Sequence, residues 1–399
     1  MRPFDGRRVL LVVSGGIAAY KSAFLARRLT EAGATIDVVL TGAARRFIGS
    51  VTFEGITHRP VHTNVWDRPM AHLDLGRLAD VAVVAPATAD MLSRLASGRA
   101  NDLAAATLLA AACPLIIAPA MNTRMWRHPA TRRNVALLAE SGATFVGPDD
   151  GPLAEGETGM GRMAEPPEVL AQIGRVLEGD SKLAGLKVVV TAGPTRSHID
   201  PVRFLCNRSS GRMGFALAAA AWRRGGDVVL ISGPGQAARP HGPRIVEVET
   251  AREMLSALET ELTDAHILLK AAAVSDFEAS EVRESKIKKE ANGTLNLSLR
   301  PGPDLLLATR DARAGRGVFT LGFALETDNA LENGRGKLEA KGLQLIAIND
   351  ATDPDAGFEV ATNRVTLLDE AGHHEELPVL LKEELADRLL DRIEQALDA

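Results

Sequence analysis

Twice in this chain a run of β-branched residues breaks into glycine just ahead of a helical stretch, and this repeated unit limits the possible folds more than any other feature. The first copy is residues 9–21, VLLVVSGGIAAYK. The second starts with KVVVTAG at residues 187–193 and crosses a polar loop. It then reaches SSGRMG at residues 209–214, ahead of the helical run FALAAAAW at residues 215–222. A strand that ends at glycines before a helix collects backbone N–H groups and the positive helix end at one point, which suits a phosphate. Two such units, about one domain length apart, imply two nucleotide-like sites in one polypeptide.

Apolar runs alternate with helical patterns around both units. Strands are expected at residues 9–13, 35–40, 78–85, 114–118 and 143–146, with helices at 17–32, 91–97, 102–112 and 128–141. Residues 147–180 differ: closely spaced glycines and prolines mark a loop or flap, a short helix follows at 168–177, and a boundary falls near 179–185. Strands resume at 187–190, 227–231, 245–248, 267–271, 317–322 and 345–349, with helices at 215–224, 251–262 and 304–310. A hairpin over 363–380 and a helix at 382–397 close the chain. Such alternation gives the fold class: α/β, with two doubly wound, Rossmann-like parallel-sheet domains at residues 1–180 and 181–399.

Composition narrows the partners. A net charge of −5 opposes nucleic-acid binding, and an aromatic content of 4% leaves few stacking platforms. The two cysteines, Cys113 and Cys206, are in no metal-ligand spacing and fit a reducing compartment. The apolar run at 9–13 is too short for a signal sequence, and no stretch approaches the ~20 apolar residues of a membrane span. The expected setting is the cytoplasm.

In a doubly wound sheet, ligands sit at the carboxyl ends of the strands. Ser14, Gly15 and Gly16 are compatible with simple turn residues as well as with a cradle, and the G-x-G-x-x-G pattern of dinucleotide sites is absent. The neighbouring strand ends carry Thr41, then Pro86, Ala87, Thr88, Ala89 and Asp90, then Met121 and Asn122. These small-residue loops can admit a flat ring and satisfy its edge. In the second half, Asp276 follows the strand end Ala271-Ala272, and the basic run KIKK begins at Lys286. A bare run of that kind suits a solvated face, but next to a strand end it can close over phosphates. Lys337 and Lys341, four apart, share one helix face.

With SGGIAAYK, APATAD, GRAND and PAMNTRMW in order, the first half resembles the homo-oligomeric flavin-containing cysteine decarboxylases. TAGPTR, DPVR, NRSSGRMGFA and KIKK follow. The whole chain then resembles the bifunctional phosphopantothenoylcysteine decarboxylase/phosphopantothenate–cysteine ligases of coenzyme A synthesis. The resemblance implies a flavodoxin-like first domain that binds FMN through Ser14, Gly15, Gly16, Ile17, Thr41 and the loop from Pro86 to Asp90. It makes His72 the catalytic base and Asn122 the substrate-carboxylate contact, with Met121 and Met125 beside the substrate. In the second domain it implies CTP held by Ala271, Ala272, Asp276, Pro303, Asp304, Leu305, Leu306, Phe323, Lys337 and Lys341, with Lys286 on the reacting α-phosphate. Asn207 and Arg203 become the acyl-transfer residues, and Ser210 and Gly211 bind the phosphorylated substrate. The implied substrates are 4′-phosphopantothenate, L-cysteine and CTP. Mg²⁺ enters with the triphosphate, and trimeric flavin domains combine with dimeric ligase domains, up to a dodecamer.

One departure stands out. The family's flap carries a cysteine that helps to reduce and protonate the intermediate, and here LAEGETGMGRM at residues 153–163 has Glu155 in its place. A buried carboxyl with a raised pKa can serve as the acid. The alternative is a ligase whose flavin half no longer decarboxylates and acts as a scaffold or regulatory subunit.

Overall fold

The computed structural model describes residues 3–66, 68–154, 156–235, 237–288, 295–326, 329–350 and 360–397. Glu155 and Lys289 lie outside them. The chain divides into two compact units, Met1–Glu178 and Gly179–Ala399. No described helix is long and apolar enough to cross a membrane.

In the first unit β1 (Arg8–Val13) is followed by α1 (Ala19–Glu31), β2 (Thr35–Leu40), α2 (Ser50–Thr57), β3 (Val61–His62) and α3 (Ala71–Leu78). Then come β4 (Val81–Ala87), α4 (Ala89–Ala96), α5 (Leu103–Ala110), β5 (Leu115–Pro119), α6 (Thr123–Arg127), α7 (Pro129–Glu140) and β6 (Thr144–Phe145). The hairpin β7 (Asp149–Pro152) and β8 (Thr158–Arg162) and the helix α8 (Pro166–Glu178) complete it. Six strands form one parallel sheet in the order β3-β2-β1-β4-β5-β6. Side chains alternate across a strand, so β1 sends Val9, Leu11 and Val13 to the face covered by α1 and α8. It sends Leu10 and Val12 to the face covered by α3, α4 and α5. A strand buried on both faces has to be apolar throughout, which is why VLLVV is legible as one.

The run at 78–85 does not form one strand. Leu78 ends α3, and β4 starts at Val81. The helix claims the earlier residues because Ala71 and Leu75, four apart, are buried on one face. The glycine-rich flap is an antiparallel hairpin, with Pro152 opposite Thr158.

The second unit runs β9 (Lys187–Ala192), β10 (Arg196–His198), β11 (Phe204–Cys206), α9 (Arg212–Arg223), β12 (Asp227–Ser232), β13 (Arg244–Glu247) and α10 (Ala251–Glu261). It continues with β14 (Ile267–Lys270), β15 (Phe277–Ala279), β16 (Leu299–Pro301), α11 (Leu305–Ala308), α12 (Arg310–Ala314), β17 (Phe319–Glu326), α13 (Ala330–Lys341) and β18 (Leu345–Asp350). Last come β19 (Thr362–Asn363), β20 (Val365–Asp369), β21 (His374–Glu376), β22 (Leu380–Leu381) and α14 (Lys382–Ala396). The main sheet is β13-β12-β9-β14-β17-β18-β20-β21. Its first six strands are parallel and repeat the order of the first unit, whereas β20 and β21 add antiparallel at the edge. The second sheet is therefore mixed. Gly214 lets α9 lie against β9, since a Cβ there would come within 2.5 Å of the Ala192 Cβ.

One polar side chain sits deep in this unit. Arg313 is 2% exposed. Its guanidinium donates to the carbonyls of Leu306 (2.9 Å), Lys341 (2.7 Å) and Gly342 (3.0 Å) and to the hydroxyls of Thr309 (3.3 Å) and Thr320 (2.8 Å). It thus ties the end of α13 to α11 and satisfies carbonyls that a helix end leaves unpaired. Arg313→Met would strand those acceptors, each at about 1–3 kcal/mol. Calorimetric unfolding of the second unit is expected to fall by about 6 °C or more, with the first unit unchanged. A drop below about 2 °C would mean that other groups or water satisfy these carbonyls.

Candidate active sites

The pocket of the first unit lies at the carboxyl ends of its strands. Gly15, Gly16 and Ile17 at the entry to α1, Thr88 and Ala89 at the entry to α4, and Met121, Asn122 and Met125 line a cavity of about 510 Å³. Leu153, Ala154, Gly161, Arg162 and Met163 of the flap also line it. The flap is bonded to the loop that carries Asn122. Met121 N–H donates to the Gly161 carbonyl at 2.9 Å, and a Cβ on Gly161 would sit 2.1 Å from the Met121 carbonyl oxygen. Asn122 caps α6, its Oδ1 accepting from the Arg124 N–H at 2.7 Å.

The other expected residues of this unit build the frame instead of the lining. Ser14 is buried, donates to the Pro86 carbonyl at 2.8 Å and accepts from the Thr88 N–H at 3.1 Å, which fixes the end of β1 to the end of β4. The Thr41 hydroxyl accepts from the Ala44 N–H at 3.1 Å. Pro86 and Ala87 are inside β4, and Asp90 is paired with Arg94 on the surface of α4. His72 stands in the first turn of α3, does not line the pocket, and has a buried Nδ1 with no hydrogen-bond partner.

In the second unit, nine of the expected residues meet around one cavity of about 390 Å³: Asn207, Ser210, Gly211, Ala271, Ala272, Asp276, Phe323, Lys337 and Lys341. Parallel pairing of β9, β14 and β17 aligns their ends, and α9 starts above them. The Asn207 Nδ2 donates to the Val274 carbonyl at 3.0 Å, which fixes the amide at the pocket rim. Lys337 pairs with Glu326, and Lys341 pairs with Asp304 at 2.9 Å. Asp304 also caps α11, accepting from the N–H groups of Leu306 and Leu307. Burial alone would raise its pKa, but Lys341 and these N–H groups hold it below the usual carboxylate range. Pro303, Leu305 and Leu306 lie outside the lining, with both leucines in the core.

Lys286 is exposed, and neither it nor Arg203 lines the cavity. They belong to a clasp that sequence reasoning missed. The buried Asp200 accepts from the backbone N–H groups of Val202 and Arg203 at 2.8 Å each and of Ile287 at 3.1 Å. Arg203 pairs with Asp200 at 3.1 Å and donates to the Ile287 carbonyl at 3.3 Å. Burial pushes the Asp200 carboxyl up, but these N–H groups and the Arg203 guanidinium hold it below the usual range. The signal for the clasp was the aspartate of DPVR. Lys270, Asn349, Asn363 and Lys382 also line the pocket and were not foreseen. Asp200→Ala is expected to release the basic loop, so limited trypsin digestion should cut after Lys286 or Lys288 severalfold faster than in the unaltered protein. An unchanged cleavage rate would show that Asp200 does not hold the loop.

The chain matches two family models, Flavoprotein over residues 2–178 and the DNA/pantothenate metabolism flavoprotein C-terminal domain over residues 183–397. It is 41% identical to the coenzyme A biosynthesis bifunctional protein CoaBC of Vibrio cholerae, over 99% of this chain and 100% of that one. It is 40% identical to the protein of the same name from Bacillus subtilis, over 98% of this chain and 97% of that one. The figure for the Mycolicibacterium smegmatis protein is 42%, over 97% of each. Both pockets fall inside these matches, and the chain belongs to the family of bifunctional coenzyme A biosynthesis proteins.

Proposed function

We propose that the second unit joins 4′-phosphopantothenate to L-cysteine at the expense of CTP, and that the first unit decarboxylates the product to 4′-phosphopantetheine with FMN, in the cytoplasm. The observation that carries the ligase half is the Asn207 amide, fixed to Val274 at the rim of a pocket that also holds the α9 entry loop, Lys337 and Lys341. A carboxylate is a poor acyl donor. Its oxygen attacks the α-phosphorus of CTP, pyrophosphate leaves, and the acyl-cytidylate forms. The cysteine amine then attacks the acyl carbon, CMP leaves, and a proton is lost from nitrogen. Asn207 donates to the oxyanion that develops on that carbon. Arg203 and Asp200 hold the loop from which Lys286 reaches the α-phosphate. Mg²⁺ enters on the triphosphate oxygens.

The first pocket fits a flavin mononucleotide. Helix α1 starts without a side-chain cap, and the backbone N–H groups of Ile17 and Ala18 stand at that start, beside the cavity, where a phosphate is favoured. Ile17, Met121, Met125 and Leu153 give the apolar walls that a ring system needs. When bound, FMN supplies two-electron transfer out of the cysteinyl thiol and back again. Asn122 holds the substrate carboxylate while the flap excludes water. His72 takes the thiol proton. It does not line the pocket of its own chain, so the proposed trimer gives it a pocket on a neighbouring chain. Sedimentation of an active protein as a monomer would remove that role.

Supplied with 4′-phosphopantothenate, cysteine, CTP and Mg²⁺, the purified protein is expected to release pyrophosphate, CMP and CO₂. Asn207→Ala should lose about 10²–10³-fold in ligation and still decarboxylate supplied 4′-phosphopantothenoylcysteine. Ligation at the normal rate in this variant would remove Asn207 from the chemistry.

Glu155 is proposed as the acid that replaces the family's flap cysteine. Glu155→Gln is expected to keep bound flavin, to slow formation of 4′-phosphopantetheine, and to accumulate an oxidised intermediate open to trapping. Full activity in the variant would sink this role. Bound flavin with no CO₂ release from the unaltered protein would leave the scaffold reading instead.

A further inference from the structure

We propose that Lys270 is a further phosphate ligand of the second pocket, its ammonium donating to an oxygen of the nucleotide's triphosphate. This rests on the nucleotide-dependent ligase reading above.

Lys270 is the last residue of β14, the strand that lies between β9 and β17. By alternation its side chain follows Leu268 to the face packed by α11 and α13, and it reaches the cavity there. Four lysines line that cavity: Lys270, Lys337, Lys341 and Lys382. Lys337 is neutralised by Glu326 and Lys341 by Asp304, and Lys382 donates to the Val360 carbonyl at 2.6 Å. Lys270 donates to the Ala272 carbonyl at 2.9 Å and, among the described residues, forms no ion pair with a carboxylate. Lys270 is half-buried; an ammonium has three donors, and withdrawing a cation from water without a counter-ion costs free energy.

Arg212, Lys337 and Lys382 line the same cavity, and the charged groups that act most on Lys270 come from three places. Lys341 lies on α13, Asp304 caps α11, and Asp276 follows the strand itself. Burial pushes the Lys270 ammonium down to about 8, and Lys341 adds to the shift against the pull of Asp304 and Asp276. The lining of the same cavity includes Ser210 and Gly211 at the entry to α9, a twelve-residue helix that begins without a side-chain cap. A cation without a carboxylate partner among the described residues therefore lines the same cavity as a positive helix end. That arrangement calls for a polyanion.

The test is calorimetric titration of the full chain with inorganic tripolyphosphate, with CTP and with 4′-phosphopantothenate, for the unaltered protein, Lys270→Met and Lys270→Arg. Lys270→Met is expected to bind tripolyphosphate and CTP about tenfold or more weakly, and Lys270→Arg to stay within about threefold. Affinity for the anion needs the protonated amine, so in the unaltered protein it should fall as pH rises from about 7 to about 9. Neither variant titrates in that range, so both should lack this fall; a merely structural lysine would produce no such contrast. Equal binding of tripolyphosphate by Lys270→Met and the unaltered protein overturns the proposal. A loss confined to 4′-phosphopantothenate overturns the assignment to the triphosphate. Lysine-dependent tripolyphosphate binding without any CTP-dependent ligation leaves the Lys270 site standing and removes the ligase reading.

Discussion

The second site depends on one set of hydrogen bonds, the parallel pairing that continues past the ends of β9 and β14. Ala271 N–H donates to the Thr191 carbonyl at 3.1 Å, Ala273 N–H to the Gly193 carbonyl at 2.9 Å, and Ser275 N–H to the Thr195 hydroxyl at 3.0 Å. These bonds carry two chain segments side by side beyond the sheet, where strands ordinarily diverge into separate loops. The alanine run at 271–273 makes this possible, because larger side chains would fill the space that the pocket occupies. Val274 is thereby placed to receive the Asn207 amide, and Asp276 is delivered to the same rim.

Most of this arrangement was legible, and the reasons are physical. Strands buried on both faces have to be continuously apolar, so β1, β9 and β14 announce themselves. Their carboxyl ends then gather in space whatever the loops between them do. Asn207, Asp276, Lys337 and Lys341 follow from that rule together with the family resemblance. Asp200 was harder. A single aspartate in a loop carries no periodic signal, and its partners include Ile287, which lies 87 positions away in sequence. Arg313 was missed for a similar reason: an arginine in a short helix reads as a surface residue until its five acceptors are assembled around it. The apolar run at 78–85 reads as strand from Leu78 onward, whereas helical spacing from Ala71 and Leu75 claims Leu78 for α3.

The motif PDLL shows how a family contact and a structural role combine. Asp304 does not line the cavity. It caps α11, and its other oxygen holds Lys341, which does line it. Arg313 secures the same two helices through Leu306, Lys341 and Gly342. A change in this motif would therefore act on the pocket through the placement of Lys341, without removing a residue that lines it.

The two units prepare for anionic groups in different ways. In the first, the buried Lys21 is committed to the Met163 carbonyl at 2.7 Å and to Glu165 at 3.0 Å, so it anchors the segment after β8. In the second, two lysines paired with carboxylates and one bonded to a carbonyl line a cavity with Lys270, which has no carboxylate pair among the described residues. The paired ones lose little when the pocket is empty, since each charge is neutralised in place. Lys270, with no carboxylate pair among the described residues, supplies the gradient that an incoming polyanion meets. A chain with net charge −5 can thus bind a highly charged substrate, because the sign of a site is set by which charges lack partners within a few ångströms, not by the sum over the surface.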